Sequence, residues 1–143
     1  MDLEKFRFFP VQYTKDPVIG GYTAIVRGCN GATEGETIED ATKMAKELVF
    51  DTSFFKFDDR EVFCGAGSAQ KGDHIVDIGV DGALKLMLRN LIVKAKISQG
   101  ELGRRLGLSK TEISSVVNPR KSTRLATLVK CFETLGSPLN ITC

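Results

Sequence analysis

Long apolar runs are missing from this 143-residue chain, whose longest stretches without a charged residue are the ten-residue segments Pro17–Val26 and Thr134–Cys143. A membrane-spanning helix needs about 20 such residues, so no membrane span is expected. No secretory leader is expected either. The first ten residues, MDLEKFRFFP, place acids ahead of the apolar residues and offer no apolar core followed by a small-residue cleavage site. The expected location is therefore cytoplasmic. Histidine is almost absent, with His74 alone, and the cysteines Cys29, Cys64, Cys131 and Cys143 form no Cys-x-x-Cys pair. Zinc sites need clustered soft ligands at short spacing, so no metal or other cofactor is expected and the thiols read as free. What remains is a chain 42% hydrophobic and 27% charged, ordinary for a folded protein and long enough for one domain or two small ones.

The net charge of +2 conceals a division. Residues 1–79 hold 9 Lys or Arg against 14 Asp or Glu, a balance of −5, whereas residues 80–143 hold 11 against 4, a balance of +7. A basic half suits an anionic partner such as nucleic acid, and an acidic half suits a basic partner or plain solubility. Two domains follow as the working expectation, residues 1–80 and 81–143.

In the first half, the runs Phe6–Tyr13 and Tyr22–Val26 are rich in aromatic and β-branched residues and flank Lys15-Asp16-Pro17 and Gly20-Gly21. This is the pattern of a β-hairpin, with Pro10 confining the first strand to an edge or a bulge. Ala32-Thr33-Glu34 can form a third strand. From Thr37, a helical N-cap, Ile38, Ala41, Ala45, Leu48, Val49, Thr52 and Phe55 recur at steps of three and four, predicting an amphipathic helix to about Lys56. The stretch from Cys64 to Asp73 reads as loop, and His74–Val80 alternates as a last strand. The fold class is α+β: a β-β-β-α-β unit followed by an all-α domain.

In that second domain, Leu84, Met87, Leu88, Leu91, Ile92 and Ala95 mark a helix over Gly82–Ala95. Ser98 with Glu101, and Ser109 with Glu112, each have the spacing of a capping box on either side of Gly107, which is the form of a helix-turn-helix. Its core is expected from Ile97, Leu102, Leu106, Leu108, Ile113 and Val116. Thr123 is the expected cap of a further helix whose stripe is Leu125, Leu128, Val129, Phe132 and Leu135, and Pro138–Thr142 can form a terminal strand. Lys110, Thr111, Ser114 and Ser115 would lie at the exposed start and side of the recognition helix, where short polar groups reach base edges and phosphates. Gln99 would hold a phosphate at the preceding helix start, and Asn118, Arg120, Lys121 and Arg124 would line the backbone beyond it. The plainer alternative is a helical module with solvated basic side chains; the 11-to-4 imbalance of charge favours DNA.

SQGELGRRLGLSKTEISSVV resembles the helix-turn-helix of repressor and Cro-like regulators, over about residues 82–136. The whole chain, with Pro10-Val11, Gly20-Gly21-Tyr22, Glu36-Thr37 before an acid-capped helix and a last strand near His74–Val80, is similar to HicB antitoxins of HicA-HicB toxin-antitoxin systems. That resemblance implies a partial RNase H-like N-terminal domain covering a small basic mRNA-cleaving HicA-type toxin. It also implies a C-terminal domain that represses the operon. Residues 81–143 are expected to bind double-stranded operator DNA as a homodimer or higher oligomer, with the apolar end SPLNITC adding a strand or surface to the dimer.

Nuclease chemistry needs several converging carboxylates, yet the first two predicted strands hold no acid and Asp77 is the only one in the last, so no enzyme activity is expected. Among the N-terminal acids, Glu39, Glu47 and Asp51 are the expected toxin contacts, the alternative being the wet side of a helix. A one-component regulator sensing a small ligand is the competing class. Gly65-Ala66-Gly67 lacks the third glycine of a dinucleotide fingerprint and reads as linker; His74 has no neighbouring nucleophile, and Asn140-Ile141-Thr142 would be glycosylated only in a secreted chain.

Overall fold

A computed structural model describes residues 2–139 of the chain. The elements run α1 (Leu3–Arg7), β1 (Phe8–Lys15), β2 (Tyr22–Val26), β3 (Ala32–Gly35), α2 (Ile38–Asp58), β4 (His74–Asp77), α3 (Val80–Lys94), α4 (Gln99–Leu106), α5 (Lys110–Val117) and α6 (Leu125–Thr134). The class is α+β, with an antiparallel sheet of order β3-β2-β1-β4 followed by a helical region.

The short helix α1 takes in Phe6 and Arg7, which read as the start of the first strand. Asp2 caps it, its carboxylate accepting from the Glu4 N–H at 3.0 Å, and Phe6 turns inward, edge-on to Phe63 with ring centroids 6.4 Å apart. A local carboxylate cap thus overrides the strand preference of a short aromatic run.

β1 lies between two neighbours, so the edge position, one of the two alternatives expected from Pro10, is not the one adopted. Its first part, Phe8–Val11, pairs with β4, and its second, Val11–Lys15, pairs with β2, so only Val11 belongs to both registers. Pro10 faces the point where β2 has run out. Its carbonyl accepts from Arg27 N–H at 2.9 Å, and a residue's N and C=O point to the same neighbour in an antiparallel strand. The carbonyl of Arg27, which an ordinary residue at position 10 would engage, accepts instead from Gly67 N–H at 2.9 Å. The donorless ring is therefore tolerated in a strand that is central by order and open at that one position.

The same contact redefines Gly65-Ala66-Gly67. The segment is strapped to the sheet, with Ala66 N–H donating to Lys5 O at 2.7 Å. Gly28, at φ +103°, lies so close that a β-carbon there would come within 2.3 Å of the Gly65 carbonyl oxygen.

Thr37 caps α2, its hydroxyl accepting from Asp40 N–H at 3.1 Å. Ala41, Ala45 and Val49 are buried as the periodicity requires, but Ile38 and Phe55 face outward, and Phe50 and Ser53 turn in. β4 is shorter than its alternation suggests. Asp77 accepts from Gly79 N–H at 2.8 Å, and Gly79 at φ +89° begins α3 at Val80, two residues before the expected start. Residues 82–90 of α3 are all buried, including Lys85, Arg89 and Asn90, because α1, α2, α5 and α6 surround the helix. Asn90 accepts from Phe63 N–H at 2.9 Å and donates to Phe63 O at 2.8 Å. One apolar core accordingly runs from Phe9 and Val49 through Leu86 and Leu88 to Leu102 and Phe132. Arg124, not Thr123, precedes α6 and supplies no side-chain cap, while Leu125 of the expected stripe is exposed. Of the terminal strand expected at Pro138–Thr142, residues 140–142 lie outside the described residues, and Pro138 and Leu139 belong to no strand.

Candidate nucleic-acid interface

α4 and α5 meet across Gly107, which adopts the left-handed conformation at φ 71° that closes one helix and redirects the chain. Ser98 accepts from Glu101 N–H at 3.0 Å, but Glu101 does not complete a capping box: its carboxylate pairs with Arg104 at 2.7 Å and Arg105 at 3.0 Å. At α5 the box is complete, with Ser109 Oγ accepting from Glu112 N–H and Glu112 Oε1 accepting from Ser109 N–H, both at 3.1 Å. Gly103 sets the spacing of the two helices, since a β-carbon there would lie 3.0 Å from Ile113 Cγ2. Leu102, Ile113 and Val116 are buried beneath the turn, and Ile97, Leu106 and Leu108 pack at its margin.

The far end of α5 is held by two cations from α3. Lys85, fully buried, donates from Nζ to the carbonyls of Asn118 at 3.0 Å, Ser115 at 3.4 Å and Lys121. Arg89, 4% exposed, donates from Nε to Val117 O at 2.8 Å and lies 5.6 and 5.5 Å from the rings of Phe54 and Phe57. Positive charge at a helix C-terminus satisfies its orphan carbonyls and opposes the negative dipole end. Burial pushes the Lys85 ammonium down from its ordinary pKa, and burial, with repulsion from Arg120, pushes the Arg89 guanidinium down to about 10. Composition alone counts both residues toward a basic surface; their burial removes them from it. A charged residue enclosed between the apolar positions of a helix is the signal for such a role, as with Lys85 beside Leu84 and Leu88.

Lys110, Thr111 and Ser114 are exposed at the start and outer side of α5, while Gln99 and Ser115 are half-buried beside them. Asn118 is the C-cap, and its Oδ1 accepts from Arg120 N–H at 3.0 Å, which turns this side chain toward the loop. The Lys121 and Arg124 side chains are exposed. Arg120 has left the helical half: its guanidinium contacts Glu47 at 2.6 Å and Asp51 at 2.7 Å and lies 5.5 Å from the Phe50 ring centroid. These carboxylates raise its pKa further. Two expected toxin contacts and one expected DNA contact therefore meet, whereas Glu39 stands apart in the first turn of α2. A groove of about 260 Å³ beside them is lined by Gln99, Ser114, Asn118, Arg120 and Asp58.

Other sites are less developed. A surface groove of about 540 Å³ lies between β4 and the start of α2, with Ile38 42% and Ile75 59% exposed along it. Asp77, the sole acid of β4 besides no acid in β1 or β2, forms a two-pronged pair with Arg7, both contacts at 2.8 Å. Among the described residues no three His, Cys, Asp or Glu side chains converge as metal ligands, and no helix is long and apolar enough to cross a membrane.

The family profile described as helix-turn-helix matches residues 88–141. Over 133 residues the chain is 29% identical to Antitoxin HicB of Escherichia coli (strain K12), covering 93% of this chain and 96% of the relative. It is 30% identical over 109 residues to Antitoxin HicB 1 and, separately, to Antitoxin HicB 2 of Photorhabdus laumondii subsp. laumondii, covering 76% of this chain and 69% and 77% of the two relatives.

Proposed function

The chain belongs to the HicB antitoxin family, and from that membership we propose that it is a cytoplasmic antitoxin and autorepressor with its labour divided near residue 80. Residues 1–80 bind and neutralise a HicA-type mRNA-cleaving toxin. Residues 81–143 bind double-stranded operator DNA as a homodimer or higher oligomer, with α5 entering the major groove. The observation that carries the DNA reading is the exposed edge of Lys110, Thr111 and Ser114 on a helix fixed at both ends, by its capping box and by Lys85 and Arg89. A reading helix held this rigidly spends little ordering entropy on binding. No catalytic role is assigned.

The toxin reading draws on the acidic balance of the first half, opposite in sign to a basic RNA-binding partner. Co-expression of the full chain with the small basic protein encoded beside it tests this reading: restored growth and co-purification are expected. Charge reversal at Glu39, Glu47 and Asp51 locates the contact; unchanged toxin affinity and salt dependence would place it elsewhere on the chain. Gel-shift titration of the full chain on DNA from upstream of its own reading frame tests repression. Equal affinity for that duplex and a scrambled one would remove the operator assignment.

A further inference from the structure

Arg120 lies two residues beyond the Asn118 cap, where a cation can reach the backbone of a duplex held by α5. Its charge is already engaged in cis. Nε donates to Glu47 Oε2 at 2.7 Å, Nη2 contacts Glu47 Oε2 at 2.6 Å and Asp51 Oδ1 at 2.7 Å, and the plane rests against Phe50. Glu47, Phe50 and Asp51 are spaced i, i+3 and i+4, so one face of α2 builds the whole seat. Two carboxylates presenting oxygens to a planar guanidinium offer the same kind of acceptors, and the same sign of charge, as a phosphodiester. The three charged side chains keep 37%, 46% and 55% of their exposure, so water reaches the pair and its contribution to stability is small. A contact so placed is exchangeable.

We propose that Glu47 and Asp51 act as an internal phosphate mimic that competes with DNA for Arg120, so that α2 sets the affinity of the helix-turn-helix for nucleic acid. The proposal rests on the DNA-binding reading above and deepens it. It also gives the two halves of the chain a common residue. By linkage, a basic partner that draws these carboxylates to itself strengthens DNA binding by the same factor by which DNA strengthens that partner's hold.

The test uses the full chain as wild type, E47Q, D51N, E47Q/D51N, R120Q and the triple variant, titrated onto a fluorescein-labelled duplex from upstream of its reading frame and onto a scrambled duplex. E47Q/D51N is expected to bind about threefold to tenfold more tightly near 0.1 M salt, with the slope of log K against log salt steeper by about 0.9 per chain, the signature of one added phosphate contact. The single isosteric variants are expected to give part of that gain with the fold intact. Adding R120Q must abolish it. A gain that survives R120Q would be the general effect of losing two negative charges and would overturn the proposal, as would unchanged affinity in E47Q/D51N. If no protein in the series binds either duplex, the DNA-binding reading itself fails, and the competition falls with it.

Discussion

The ammonium of Lys85 donates to the carbonyl of Asn118 at 3.0 Å from a position with no solvent exposure, so a cation on α3 holds the last turn of α5. Lys85→Met keeps the length of the side chain and removes the donor, leaving the carbonyls of Ser115, Asn118 and Lys121 without it. Buried acceptors stripped of a charged partner are costly, and a loss of about 2 to 4 kcal/mol is expected. Urea denaturation checks it; a midpoint unchanged from wild type would show that water replaces the ammonium without penalty.

Two glycines are expected to differ in what they tolerate. Gly28→Ala must place a β-carbon 2.3 Å from a backbone oxygen at φ +103°, which neither rotamer change nor side-chain movement relieves, and is expected to cost more than about 3 kcal/mol. Gly103→Ala meets Ile113 Cγ2 at 3.0 Å, Ile113 Cβ at 3.1 Å and the Leu108 carbonyl oxygen at 3.3 Å, close contacts that a shift of a few tenths of an ångström relieves, and gains helix propensity of roughly 1 kcal/mol in return. Its net loss is expected to be about 1 kcal/mol. Denaturation midpoints in the reverse order would contradict this account of the two close approaches.

Lys110→Ala is expected to weaken DNA binding by about 1 to 3 kcal/mol while leaving the melting temperature near wild type, because the side chain is exposed at the first position of α5. Ser109→Ala removes the acceptor for Glu112 N–H and is expected to lower stability by about 1 kcal/mol. Measuring affinity and melting on both variants separates contact from scaffold: a shared pattern in the two would mean that one residue serves both roles.

Acid sensitivity follows from several carboxylates held below their ordinary range. Hydrogen bonds from Arg27 lower Asp73, those from Arg7 lower Asp77, and the backbone N–H of Ser109 lowers Glu112. A folded pKa below the unfolded value means stability that is present above the ordinary values of 3.8 and 4.5 and is lost as pH falls through the folded ones. Thermal midpoints are thus expected to hold near neutrality and to drop below about pH 4. Asp73→Asn, which cannot titrate, should show a shallower acid decline; identical slopes would remove the Arg27–Asp73 pair as a source.

Local capping and periodicity are legible in the sequence. Thr37 before Glu39 and Asp40, Ser109 with Glu112, and Gly107 between two short helices each specify a backbone state from neighbours a few residues away. Lys110, Thr111 and Ser114 could be placed on an exposed edge for the same reason. Periodicity reports that a residue faces something without saying what. Pro10 implied an open edge and found one only on the β2 side, because β4 returns from residue 74 to cover the other. Lys85 and Arg89 counted as surface charge until α1, α2 and α5 closed around α3. The partners of Arg120 lie 69 and 73 residues away in the chain, beyond the reach of any spacing rule.

Helix α3 presents Asn90 to the strap at Phe63 and Lys85 and Arg89 to the end of α5, so one helix is fitted to both halves of the chain at once. The halves are consequently poor candidates for exchange between relatives by recombination at residue 80. A joint there would give a new N-terminal half a helix shaped for the sheet it replaced, and substitutions that refit α3 to one side would have to be accepted by the other. The two activities are bound to a shared inheritance by the part that contacts neither partner in the proposed division of labour.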